Sequence, residues 1–269
     1  MTNSEIESLI LYRGFPPDGT YTWSPFVNKL EARLRFEGVR YKAGAGSPRD
    51  APRGKIPYLT VQRSASAPQS LGDTELIIRA LVGEGILTDL NSKLSAVERA
   101  HSLGLKAVLE DRVYFYTVRK KWVDNYYAMR AGVLASVPWP MQIPVGVLVY
   151  RSVTTMLHGQ GTGRLSAEEV ETLNEEAWES INAIISEART RSSGAVQSRE
   201  PFWVLGGEQP TELDATIYGF ITSSLVCDAA APVTKRAVES HSALVDYAER
   251  IHDRFFPDYP FECHKAARM

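Results

Sequence analysis

The chain has 269 residues, 44% of them apolar and 23% charged, which is enough for one large domain or two ordinary ones and unlike a disordered or fibrous chain. Its formal net charge of -2 gives no reason to expect a polyanionic partner, so no nucleic acid is expected; the densest basic run, VRKKW at Val118–Trp122, reads as a solvated helix face. The two cysteines, Cys227 and Cys263, form no Cys-x-x-Cys and no Cys/His cluster at metal-ligand spacing, so no metal is expected and a cytoplasmic chain with reduced thiols is the simplest reading.

The opening MTNSEIESLI carries acids and lacks the apolar stretch of a secretory signal. Ser8–Phe15, SLILYRGF, is a short apolar run with the turn-forming exit PPDGT, and predicts a buried strand. From Ser24 the period changes. Phe26, Val27, Leu30, Leu34 and Phe36 lie near helical spacing with Lys29, Glu31, Arg33, Arg35 and Glu37 between them, and Gly38 marks the helix end. EGVRYKAG, GKIPYLTVQ and APQSLGD each read as a further short strand. Asp73–Gly85, DTELIIRALVGEG, is a helix with an acid at its start and a glycine beyond its end. The order β-α-β, then β-β-α, is that of a small α/β unit.

After Gly85 helical patterns take over. Val97–Arg130 is long and rich in Tyr, Phe and Trp. Glu168–Arg189 is opened by a capping box at Ser166 and Glu169, a third helix starts at the Thr211-x-x-Asp214 capping pair, and a fourth covers Thr234–Phe256. Arg189–Glu200 reads as a polar loop. Residues 1–88 are therefore expected to form an α/β domain and residues 93–269 an all-α one, joined around ILTDLNSK. One segment stands apart: Ala131–Tyr150 carries no charge, a length that would suffice for a membrane span. Pro138, Pro140 and Pro144 break a continuous helix there, so a buried helical hairpin or the wall of an apolar pocket is expected rather than a membrane span.

KIPYL, then GDTELII, then TELDATIYGF in a helical half, resembles the glutathione S-transferase superfamily. The S-P-F that follows a short extra loop in LILYRGFPPDGTYTWSPFVNKLEARLRFEGVRY resembles its metaxin and failed-axon-connections branch. The similarity runs from Leu9 to about Leu225. It implies a thioredoxin-like N-terminal domain, an all-α C-terminal domain, and glutathione as the bound thiol.

The resemblance gives each motif a role. It implies a cis bond before Pro57, which leaves the main chain of Ile56 open to pair with an extended peptide. Asp73 and Thr74 open a helix whose free N–H groups and dipole attract a carboxylate. By the resemblance, Thr74 receives the γ-glutamyl carboxylate, Asp73 its ammonium, and Lys55 the glycine carboxylate. The family more often has Glu-Ser where this chain has Asp-Thr. Thr211 and Asp214 read as structural.

Ser24 followed by Pro25 is an ordinary helix start. The same geometry allows a hydroxyl to donate to a glutathione thiolate, since a helix N-terminus lowers a nearby thiol pKa. Tyr12, at the end of the first strand, is the rival for that role, with Tyr21 and Thr22 behind it. The lack of a cysteine at position 24 argues against a thiol reductase.

A second substrate is expected between the domains, a usual place for apolar clefts. Tyr114, Tyr116, Arg119, Trp122 and Met129 are its candidate lining, with parts of Trp139–Val147; Arg119 is the candidate to polarise a carbonyl. The expected function is attack of the bound thiolate on an electrophilic hydrophobic small molecule. The outcome is conjugation, or reversible addition that isomerises a cis–trans double bond, and a role in secondary-metabolite biosynthesis is plausible. The alternative is a non-catalytic metaxin-like adaptor with a vestigial glutathione site. A homodimer is common in the superfamily.

Overall fold

The computed structural model describes residues 6–261 apart from Pro17, Ala65, Ser136, 193–198 and 229–232; Cys263, half of the expected 189–200 loop and the last eight residues lie outside the described residues. Strand β1 (Ile6–Tyr12) is followed by α1 (Pro25–Phe36), β2 (Lys42–Gly44), β3 (Tyr58–Arg63), β4 (Ser66–Gly72) and α2 (Thr74–Gly83). The sheet order is β2-β1-β3-β4, with β1 and β2 parallel and the other two pairings antiparallel. Side chains alternate across β1. Leu9 and Leu11 face Leu30 and Leu34 of α1, Leu59 and Val61 of β3, and Ile77, Ile78 and Leu81 of α2. This is the thioredoxin-like unit that the resemblance implied, and both Ile56–Pro57 and Phe15–Pro16 are cis.

Register brings the working ends of the strands together. Gly44, Tyr12, Tyr58 and Gly72 lie in one row across the sheet. The β1–α1–β2 crossover requires α1 to start at the end where β1 finishes. The start of α1, the cis Ile56–Pro57 bond and the start of α2 therefore share one end of the sheet, the usual place for a ligand in such units.

The helical half continues with α3 (Ala96–Val108), a π-helical turn (Leu109–Val113), α4 (Tyr114–Arg119), a second π turn (Lys120–Asp124) and α5 (Tyr126–Val133). It ends with α6 (Trp139–Gln160), α7 (Ala167–Arg191), α8 (Glu212–Leu225), α9 (Val233–Glu239) and α10 (Ser242–Phe255). Helix α8 is buried at all 14 positions and lies against α1. The approach is close because of Gly219, where a Cβ would stand 2.5 Å from the Pro25 carbonyl oxygen and 2.6 Å from the Lys29 nitrogen. The capping box at its start is present, and Asp214 does more than cap. Its carboxylate accepts from the Thr211 N–H and hydroxyl, at 2.7 and 2.6 Å, and from Val204 N–H and Tyr247 hydroxyl, at 2.8 and 2.7 Å. Burial raises the Asp214 pKa, and these donors oppose the shift.

Buried and half-buried ion pairs join the two halves. Arg33 Nε donates to Glu212 and Lys29 Nζ to Glu110, both at 2.6 Å, and Lys106 Nζ reaches Glu75 at 2.6 Å.

Three expectations are corrected. The fourth helical pattern is two helices, broken at Ser240 and His241. The prolines of Ala131–Tyr150 do not prevent a helix: α6 runs 22 residues with Pro144 inside it. Pro138 and Pro140 sit at its N-cap and second position, where the missing N–H would have had no helical partner. That segment is not buried either, since Trp139, Met141, Ile143 and Val147 are all exposed. Finally, VRKKW is not a solvated face. Lys120 and Lys121 are both 5% exposed, because the second π turn widens the helix and rotates them inward, Lys120 onto Glu171.

Candidate active site

Ser24 occupies the N-cap of α1 with extended backbone, Pro25 follows at the first helical position, and the Ser24 hydroxyl makes no capping hydrogen bond. Thr22 holds the approach to the helix instead. Its hydroxyl donates to the Ser24 carbonyl at 3.3 Å and its N–H to Asn28 Oδ1 at 3.0 Å, while Asn28 Nδ2 donates to Thr222 at 3.1 Å. The hydroxyl of Ser24 is thus left half-buried at a positive helix end.

A lysine reaches the residue before it. Lys121 Nζ donates to the carbonyl of Trp23 at 2.9 Å, next to buried Cys227. Burial pushes the Lys121 pKa down and the Cys227 thiol opposes that shift. Neither residue was expected at the site, because the inward turn of Lys121 comes from a π turn that side-chain periodicity does not show.

The other three thiol-site candidates are placed differently. Tyr12 stacks on Tyr58, 4.3 Å between ring centroids, on the sheet face opposite the one that α1 and α2 cover. Tyr21 is buried among Tyr218, Phe256 and Tyr259, and its hydroxyl meets the Tyr218 hydroxyl and His252 Nδ1, the latter at 2.9 Å. Burial raises the Tyr21 pKa far above its usual value. Thr22 is committed as described.

At the start of α2, Asp73 has φ 75°, the left-handed region, and caps its own helix by accepting from Glu75 N–H at 3.1 Å and Leu76 N–H at 3.2 Å. A non-glycine residue held there costs on the order of 1–3 kcal/mol and is typical of ligand clamps. Thr74 is buried, Asp73 and Lys55 are exposed, and Pro57 is buried with Ile56 half-buried against Gly14. Glu75 fixes this helix end to α3 through Lys106. Burial alone would raise the Glu75 pKa, but Lys106 and Arg79 outweigh it and the pKa is lowered. Arg53, two residues before Lys55 and packed over Gly72, is an additional cation here. Its place in a basic loop before the Ile-Pro pair was the available signal.

Of the expected second-substrate residues, Tyr114 packs edge-on against Phe26 at 5.0 Å, and Trp122 and Met129 cluster with Trp23 and Cys227. These three therefore surround the start of α1. Arg119 points elsewhere, donating to the carbonyls of Thr162 and Leu165 at 3.1 and 2.5 Å. Tyr116 lines a separate open cavity of about 560 Å³ between α3 and the end of α6. Trp23 also packs on Gly132 of α5, and Tyr126 and Arg130 lie against Gly146 of α6.

The donor set fits glutathione: a helix N-terminus for a carboxylate, Asp73 for an ammonium, an Ile56 main chain outside the β3 ladder, and an uncapped hydroxyl at α1 for a thiolate. A family model of the glutathione S-transferase N-terminal domain matches residues 25–129, and one of the glutathione S-transferase C-terminal domain matches residues 201–251. The chain is similar to Failed axon connections of Drosophila melanogaster, 24% identical over 286 positions that take in 98% of this chain and 62% of the relative. It thus spans less than two thirds of that protein's length. It is similar in fold to Ure2p in complex with S-hexylglutathione, with TM-score 0.54, 13% identity, and coverage of 92% of this chain and 95% of that one. A glutathione transferase family member from Pseudomonas fluorescens pf-5 with two glutathione bound gives TM-score 0.51, 13% identity, and coverage of 92% and 89%. With both halves of one architecture matched in order, the chain belongs to the glutathione S-transferase superfamily.

Proposed function

We propose that this protein is a glutathione-dependent enzyme that acts on an electrophilic hydrophobic small molecule. The observation that carries the reading is the start of α1, where Ser24 presents a hydroxyl that no capping bond uses and buried Lys121 donates to the carbonyl of the preceding Trp23. When bound, glutathione supplies a thiol, whose thiolate is the reacting form.

The protein's part is to hold that thiolate and bring an acceptor to it. The Ser24 hydroxyl donates to the sulfur, while the α1 dipole and Lys121 favour its negative charge. Thr74 and the α2 N-terminus take the γ-glutamyl carboxylate, and Asp73 its ammonium. Ile56 pairs with the peptide backbone, and Lys55 and Arg53 take the glycine carboxylate. Trp23, Phe26, Tyr114, Trp122 and Met129 offer the acceptor an apolar, aromatic surface beside Ser24. Conjugation releases glutathione attached to the acceptor. Reversible addition across a conjugated double bond releases it unchanged, with the bond isomerised. An apolar acceptor surface suits both, and suits a dedicated substrate of secondary metabolism.

Calorimetric titration of glutathione into the protein, with Asp73→Ala alongside, tests the site. Saturable binding that the variant loses supports it; no binding at millimolar glutathione (about the top of the range for an enzyme substrate) sinks it. The likeness to Failed axon connections favours a second reading, an adaptor with a vestigial site, and that second result is the one it predicts.

A further inference from the structure

Residues of α5 and the first half of α6 hold apolar side chains in solvent. Tyr127 is 75% exposed, Trp139 69% and Leu148 66%, and Val133, Met141 and Ile143 are exposed beside them. Exposed apolar surface on this scale marks an interaction site. We propose that this exposed apolar segment inserts into the headgroup region of a lipid bilayer carrying anionic headgroups, without crossing it. Among the described residues no helix is long and apolar enough to cross a membrane.

Three observations select a lipid surface over a protein partner. The first is the shape of the exposure. Trp139, Ile143 and Val147 follow one line down α6 at four-residue spacing, whereas Met141 and Leu148 lie on the opposite side, and all five are exposed. A second protein would cover one face; only a surrounding medium covers both.

The second is the backbone at the tip. A helix start leaves N–H groups unpaired, which is costly in an apolar phase. Here Pro140 has no N–H, and Met141 and Gln142 donate theirs to the Pro138 carbonyl at 2.9 and 3.2 Å. Gln142 Nε2 donates to the Val137 carbonyl at 2.8 Å, so the polar side chain nearest the tip is turned back on the chain.

The third is charge. Ala131–Tyr150 has none, and from Asn125 to Ala167 there is no Asp or Glu, while Arg130 and Arg151 bracket the uncharged stretch. Exposed Arg151 lies three residues after Leu148 on the same helix face, at the boundary where lipid phosphates would stand. Trp and Tyr at such a boundary match the chemistry of the bilayer interface.

The test is co-sedimentation of the full chain with phosphatidylcholine vesicles, with and without phosphatidylserine, for the wild type, Leu148→Glu and Arg151→Glu. Both side chains are exposed, so thermal midpoints should match the wild type and confirm folding. The wild type should sediment with the phosphatidylserine vesicles. Leu148→Glu should weaken partition by about tenfold or more, as expected for losing one buried leucine to a charge. Arg151→Glu should weaken it chiefly where phosphatidylserine is present. The proposal is overturned if the wild type binds neither vesicle, or if Leu148→Glu binds as well as the wild type. It is also overturned if analytical ultracentrifugation shows self-association that Leu148→Glu abolishes while vesicles are ignored, the result expected of a second copy.

Discussion

Ser24 poses the question of whether an N-cap residue is a cap. Replacing a capping serine by alanine ordinarily costs about 1 kcal/mol, because a side-chain bond to the first turn is lost. The Ser24 hydroxyl makes no such bond, and Thr22 and Asn28 hold the turn in its place. Ser24→Ala should therefore change the unfolding free energy measured in urea by less than about 0.5 kcal/mol, the range of an ordinary surface change. A loss of a full cap's worth would return Ser24 to a structural role. The Ser-Pro start was legible in the sequence; which residue does the capping was not. The sequence likewise offered Tyr12 and Tyr21 as rivals, since chain position alone cannot show that one faces away from α1 and the other is locked among aromatic rings.

At the scale of elements, the α1–α8 contact positions the site. In Gly219→Ala two effects compete. Alanine favours a helix by up to about 1 kcal/mol. Against this, the new Cβ would meet backbone atoms of Pro25 and Lys29, at 2.5 and 2.6 Å, which cannot swing aside. The clash should win, with a net destabilisation of about 1–3 kcal/mol in chemical denaturation and weaker glutathione binding, because the start of α1 must move. Unchanged stability would show that the helices are not in close contact. Strands and helices of this half were readable because Leu9 and Leu11 alternate and Leu30 and Leu34 recur at helical spacing. Capping boxes located α7 and α8. Helix α6 was hidden because Pro138 and Pro140 fall at its start, where a helix tolerates them, while Pro144 sits inside it against the usual rule, and an uncharged run carries no signal of whether it is buried. The inward lysines of VRKKW were hidden by the π turn.

Across the whole molecule, charged pairs hold the sheet half to the helices, and one of them sets a pH dependence. Arg35 at the end of α1 donates to Asp258 beyond α10, and this hydrogen bond holds the Asp258 carboxyl below its usual pKa. A carboxyl with a lowered folded pKa stabilises the fold above its unfolded pKa of 3.8 and loses that contribution as pH falls through the folded value. The gap in thermal midpoint between the wild type and Asp258→Asn should stay constant from pH 7 to about pH 5 and narrow as pH falls below 3.8 toward the lower folded value. A gap independent of pH would show that the pair is not ionic. The central claim concerns the sulfur that this assembly serves, and the most direct measurement is spectroscopic titration of the glutathione thiol in complex with the wild type and with Ser24→Ala. The account predicts a thiol pKa well below the free value of about 8.5 in the wild type, moved back toward it in the variant. The same pKa in both complexes, or one equal to that of free glutathione, would contradict it.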